Sequence, residues 1–103
     1  MQIDEIQKLL KANQCVWTEH VSERMEQRNI VKEDVIRGIL SGEIIEEYPD
    51  SYPFPSCLIW ARLMNDKIIH IVVGCDQKSI YIISVYIPNE LKFEKEFKIR
   101  RKK

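Results

Sequence analysis

The sequence predicts an α+β fold with helices first and an antiparallel sheet after them, and three observations lead there. Apolar residues recur at helical spacing as far as about residue 41 and at period two from residue 43 onward. The 103-residue chain has the usual size of one domain, and its 45% hydrophobic content suffices for a packed core. No repeat, low-complexity segment or linker divides it, so residues 1–103 read as a single domain.

Ile3, Ile6, Leu9 and Leu10 form the stripe of a first amphipathic helix, about Ile3–Ala12. Cys15-Val16-Trp17 reads as a short apolar connector. Thr18 suits the N-cap of a second helix, about Glu19–Arg28, with Glu19 at its positive end. Asn29 suits the left-handed position just past that helix, with Ile30 as its apolar contact. A third helix over about Lys32–Ser41 repeats Val35, Ile36, Ile39 and Leu40, and Gly42 ends it.

Four strands are then expected. Glu43–Tyr48 is stopped by Pro49, and the loop from Pro49 to Pro55 holds three prolines, which favour an extended, rigid path. Cys57–Met64, Lys67–Cys75 and Ile80–Ile87 are joined by the turns Asn65-Asp66 and Asp76-Gln77-Lys78-Ser79. Ile68, Ile69, Ile71, Val72 and Val73 are apolar on both faces, so their strand belongs at the centre of the sheet. Asn89 is placed to cap a final short helix carrying Phe93 and Phe97. The predicted architecture is N-terminal helices packed on one face of a four-stranded antiparallel sheet.

Composition narrows the function. No apolar run approaches the roughly 18–20 residues of a membrane span. The start Met1-Gln2-Ile3-Asp4-Glu5 lacks the basic and apolar blocks of a secretory leader, so a cytoplasmic chain is expected. Cys15, Cys57 and Cys75 are odd in number and lack C-x-x-C spacing, which points to free thiols. Zinc held by Cys15, His20, His70 and Cys75 fails on spacing, because each Cys–His pair is five residues apart. No metal or other cofactor is expected. Net charge is zero but polarised: residues 1–50 carry eleven acids and six bases, residues 51–103 five acids and ten bases. Much of that basic surplus is Lys98-Ile99-Arg100-Arg101-Lys102-Lys103, where Arg100 and Arg101 are candidates to hold an anionic partner such as RNA. A solvated basic end would look the same.

The sharpest constellation is His20, Arg24 and Arg28, spaced four apart in the second helix. Steps of four keep them near one stripe, beside the apolar pair Val21 and Met25 that should face the sheet. A cleft between helix and sheet would lie there. Histidine exchanges protons near neutral pH, and arginine offers a permanently charged fork that fits phosphate. Together they supply the groups that phosphodiester transesterification needs, although a solvated helix face has the same pattern. His70 interrupts an apolar strand and must find a partner or a cleft. Ser84 and Tyr86 share one face of the last strand, where Tyr86 would donate a proton or stack on a base, or simply pack. An even hairpin loop sets His70 across from Val85 and turns Tyr86 away, whereas an odd loop or a bulge, for which Gly74 is a candidate, puts His70 and Tyr86 on one face.

At these residues the chain resembles a known family. Thr18-Glu19-His20-Val21-Ser22-Glu23-Arg24-Met25-Glu26-Gln27-Arg28-Asn29-Ile30 is similar to the signature helix of a large bacterial family of domains of unknown function, allied by fold to RelE/ParE-type and BrnT-type toxins. Glu33-Asp34-Val35, Gly42-Glu43-Ile44-Ile45-Glu46-Glu47-Tyr48-Pro49, Ile69-His70-Ile71-Val72-Val73 and Ile82-Ile83-Ser84-Val85-Tyr86-Ile87-Pro88 follow in the family's order. Asn29 stands where glycine is more usual and Ser84 where threonine is. The likeness covers about residues 17–88, leaving 89–103 as a basic tail. It implies a toxin-like fold with a curved antiparallel sheet, RNA cleavage without metal and a cognate antitoxin.

Three readings follow. One is a toxin-type ribonuclease with His20 and His70 as base and acid, Arg24 and Arg28 on the phosphate, Tyr86 assisting and Ser84 binding substrate. The second is a binding module that uses the basic tail and the proline loop to engage protein or nucleic acid. The third is a structural partner in an operon-encoded complex.

Overall fold

The computed structural model describes residues 1–89 and 95–100. In chain order the elements are α1 (Ile3–Lys11), β1 (Cys15–Trp17), α2 (Glu19–Gln27), α3 (Lys32–Ser41), β2 (Glu43–Tyr48), β3 (Ser56–Arg62), β4 (Ile68–Cys75) and β5 (Ile80–Tyr86). A single 3₁₀ turn, Lys95–Phe97, comes last. The strands form one five-stranded sheet in the order β1-β5-β4-β3-β2, with β4 at the centre as expected.

The sheet is mixed, which corrects the four-stranded antiparallel expectation. Cys15-Val16-Trp17 is not a connector: it pairs in parallel with Ile80-Tyr81-Ile82. Three residues are too few to show a period, and their partner lies far along the chain, so nothing local announces the strand.

Local signals set the helix ends. The Thr18 hydroxyl oxygen accepts the Val21 N–H at 3.1 Å and starts α2. Asn29 takes φ 56°, and the Ile30 N–H returns to the Met25 carbonyl at 2.9 Å, the Schellman closure that ends it. Ile30 is buried beneath that turn.

One hairpin is built differently from expectation. Between β3 and β4 the Leu63 N–H meets the Lys67 carbonyl at 2.8 Å, so the turn holds Met64, Asn65 and Asp66 rather than Asn65-Asp66 alone. A two-residue type I′ turn needs two left-handed residues, whereas here Asp66 alone is left-handed, at φ 67°. Between β4 and β5 the four-residue turn stands, with the Asp76 carboxylate accepting the Lys78 and Ser79 N–H groups at 3.0 and 2.9 Å. The proline loop is bent rather than extended, and Ser51 N–H closes a turn on the Tyr48 carbonyl at 3.2 Å. Any helix capped by Asn89 and carrying Phe93 falls outside the described residues, and Phe97 lies in the 3₁₀ turn.

The core fills the space between helices and one sheet face. Ile6, Val21, Met25, Val35 and Ile39 come from the helices, and Ile59, Ala61, Ile69, Ile71, Val73, Ile80, Ile82 and Val85 from the strands. Gly38 lets α3 approach closely: a Cβ there would stand 3.0 Å from that of Ala61 and 3.1 Å from Ile71 Cδ1. With the helices on that face, the polar side chains of the central strands are left to the other one.

Candidate functional site

Alternation along the strands decides which side chains meet. Ile69, Ile71 and Val73 face the helices, so His70 and Val72 face the opposite side of β4. Registers then place Trp60, His70 and Tyr86 side by side across β3, β4 and β5. The next row holds Glu46, Leu58, Val72 and Ser84 across four strands.

A bulge makes the first row possible. Cys75, Gly74 and Val73 pair with Ile80, Tyr81 and Ile82, but Val72 pairs with Ser84, which leaves Ile83 extra on β5. Without that residue His70 would face Val85, a core position. The bulge lies on β5 and not at Gly74. Gly74 instead makes room for the proline loop, because a Cβ there would come within 2.5 Å of the Phe54 ring. Phe54 stacks on Tyr81 at a centroid separation of 4.5 Å and covers that end of the face.

His70 is fully buried. Its Nε2 lies 2.6 Å from the Phe97 carbonyl, and its Nδ1 is 3.3 Å from the Tyr86 hydroxyl. A carbonyl only accepts, so Nε2 carries the proton and Nδ1 accepts from Tyr86. The rings meet edge to face at 5.3 Å. Burial pulls the imidazole below its ordinary pKa and outweighs the Phe97 carbonyl and the Glu46 charge, which favour the cation; Arg100 adds to the lowering. Burial likewise pushes the Tyr86 phenol up. The pair therefore holds a neutral histidine beside a protonated tyrosine at neutral pH.

Beside it, Glu46 accepts the Tyr48 hydroxyl and receives Arg100 in a two-point contact at 3.0 and 3.2 Å. Burial raises the Glu46 carboxyl, but the hydrogen bonds from Arg100 and Tyr48 together reverse the sign and hold it low. Burial and that carboxylate push the Tyr48 phenol up to about 12. Glu46 and Tyr48 escaped the sequence reading because strand acids and tyrosines usually serve solvation and packing. Their shared spacing of two was the available signal.

The depressed His70 pKa makes stability depend on pH. The unfolded chain takes up the proton first, at an ordinary pKa of about 6.5, so stability is complete above that value and is lost as pH falls toward the lower folded pKa. The urea midpoint of the wild type should decline below about pH 6.5 more steeply than that of His70→Gln. Parallel pH profiles for the two proteins would contradict this.

The stripe on α2 lies on the other layer. Val21 and Met25 are buried in the core as expected, while His20 and Arg24 are exposed. Among the described residues no hydrogen bond or ion pair joins His20 or Arg24 to His70 or Tyr86. The cavity beside α2, about 350 Å³, opens toward α3 and is lined by Ser22, Met25, Glu26, Ile30, Val31, Lys32 and Glu33. The predicted cleft beside His20 and Arg24 is therefore not this one.

Arg28 is half-buried and donates from Nη1 to the Val85 carbonyl at 2.7 Å. Since β1 covers only Ile80–Ile82, this carbonyl lies on the unpaired outer edge of β5. Arg28→Ala should cost about 1 kcal/mol of stability, the scale of one such hydrogen bond. An unchanged urea midpoint in that variant would contradict this structural role for Arg28.

Ser84 is half-buried on the face opposite the helices. Arg100 reaches this face from the C-terminal segment, and Arg101 lies outside the described residues. Among the described residues no group of three or more His, Cys, Asp or Glu side chains is placed to hold a metal ion. The cysteines are free, and no helix of the described residues is long and apolar enough to cross a membrane.

No curated protein and no solved structure matches the chain. One family model does, over residues 17–87, which include α2 with its His-Arg stripe, His70, Ser84 and Tyr86. The chain belongs to that family, described as a domain of unknown function (DUF4258).

Proposed function

We propose that the chain is a metal-independent ribonuclease whose acid–base pair is His70 and Tyr86, on the sheet face opposite the helices. The observation that carries this reading is the hydrogen-bonded pair itself, a neutral imidazole and a protonated phenol placed side by side by a β-bulge. A fold needing only a packed sheet would fill this row with apolar side chains.

The chemistry follows from the second tautomer of the same histidine. With the Phe97 carbonyl withdrawn, the lone pair moves to Nε2 and the proton to Nδ1, which then donates to the Tyr86 oxygen. Nε2 takes the proton of a ribose 2′-hydroxyl as that oxygen bonds to phosphorus. The bond from phosphorus to the 5′-oxygen breaks, and that oxygen receives the phenolic proton of Tyr86. The His70 proton then returns to Tyr86 through Nδ1. The products are a 2′,3′-cyclic phosphate and a 5′-hydroxyl. Arg100 offers the guanidinium that steadies the charge on phosphorus.

The resemblance of residues 17–88 to a family allied by fold to toxins supports a cognate antitoxin as the partner for this face. The test is cleavage of labelled RNA in EDTA, with DNA of the same sequence as control. RNA should be cut to cyclic-phosphate ends and DNA left intact, because DNA lacks the 2′-hydroxyl. A folded protein that binds RNA in this assay without cutting it favours the binding-module reading.

A further inference from the structure

The face that carries His70 and Tyr86 is covered by the chain's own C-terminal segment. Glu96 accepts the Trp60 indole N–H at its carbonyl and pairs with Arg62 through its carboxylate. Phe97 places its carbonyl on His70 Nε2. Lys98 pairs with Glu43 at 2.5 Å and lies 4.2 Å above the Trp60 ring. Arg100 pairs with Glu46.

The ion pairs among these contacts are specific in position but weak in kind. Both side chains of the Lys98 and Arg100 bridges keep access to water, and such pairs contribute little and are screened by salt. The segment is also strained: Glu96 and Phe97 are both left-handed, at φ 73° and 59°, a conformation that a phenylalanine rarely holds unless its surroundings impose it. Release relieves that strain. The segment's own two paired cations, Lys98 and Arg100, are also ones that nucleic acid would compete for. Five of the last six residues of the sequence are Lys or Arg.

We propose that Lys95–Arg100 is a cover over the His70–Tyr86 site that RNA itself removes. Phosphates take Lys98 and Arg100 from Glu43 and Glu46, and the Phe97 carbonyl leaves His70 Nε2 as the segment lifts. The substrate class, an RNA strand, rests on the ribonuclease reading above; the cover itself does not. Glu43 and Glu46, left unpaired on the sheet, then repel the same phosphates and favour return of the segment once product leaves.

The experiment uses the full chain and proton NMR. The Lys98 ammonium lies over the Trp60 ring, so the ε-methylene next to it should resonate upfield, and Phe97 should show cross-relaxation to His70. The probe is a 2′-O-methylated oligoribonucleotide, which carries the phosphates but lacks the nucleophile. On saturation, the Lys98 shifts should move to ordinary lysine values and the Phe97–His70 contact should vanish. Arg100→Glu, which sets like charge against Glu46 at an exposed position, should displace the Lys98 shifts in the same direction without oligonucleotide.

Two results would overturn the cover: an oligonucleotide that binds while the Lys98 and Phe97 signals stay in place, or an Arg100→Glu protein that keeps them unchanged. Failure of the ribonuclease reading looks different. There the signals move as expected with the methylated probe, yet unmodified RNA survives incubation with the protein.

Discussion

His70→Ala is expected to lower the rate of RNA cleavage roughly 10²–10⁴-fold, the usual weight of a positioned general base. The same substitution at His20 should cost less than about tenfold, because His20 stands exposed on α2 and away from the buried pair. Comparing the two variants, each shown to be folded, decides which layer of the molecule carries the chemistry. The pH profile supplies a second check. Burial lowers the His70 pKa, so the base stays unprotonated into mildly acid solution. The acid limb of the rate profile should therefore lie below the ordinary histidine value of about 6.5. An acid limb above that value, or a large loss in the His20 variant with full activity in the His70 variant, would move the site to α2.

The second large effect concerns stability. Ile71 is fully buried at the centre of the central strand, facing Gly38 where α3 comes closest to the sheet. Ile71→Ala should lower the unfolding free energy by about 2–5 kcal/mol, since a rigid sheet and a tightly packed helix cannot collapse into the space left behind. In a domain of this size that corresponds to a fall in Tm of at least about 8 °C. Urea unfolding followed at Trp17 and Trp60 measures it. A loss below about 1 kcal/mol would mean that the helix layer does not pack on β4 as described.

Most of the fold was legible because its signals are local. Thr18, Asn29 and Gly42 mark helix ends through their own backbone chemistry, and the bounds of α3, β2 and the Asp76–Ser79 turn follow directly. What was hidden depends on distance in sequence. β1 exists because of a partner in β5, and the alignment of His70 with Tyr86 depends on which of two strands accommodates one extra residue. Ile83 carries no mark of that task, whereas Gly74 looked the better candidate and serves Phe54 instead. The site divides the same way. His70 was visible as a polar interruption and Tyr86 by its face, but Glu46 and Tyr48 matter through Arg100, which arrives from the far end of the chain.

The parallel ladder between Cys15–Trp17 and Ile80–Ile82 has a consequence for biosynthesis. While the ribosome is still adding the last strand, the first two helices have neither the strand that anchors β1 nor the surface on which α2 rests. The hairpins of β2, β3 and β4 join neighbours in sequence and can form earlier, presenting an apolar face with only α3 to shield it. Closure of long-range pairings is the slow part of folding, and exposed strands are then open to wrong partners. The nascent chain therefore passes through a stage in which half of its sheet waits for the other half. At that stage a chaperone, or a partner protein made alongside it, would find the most to hold.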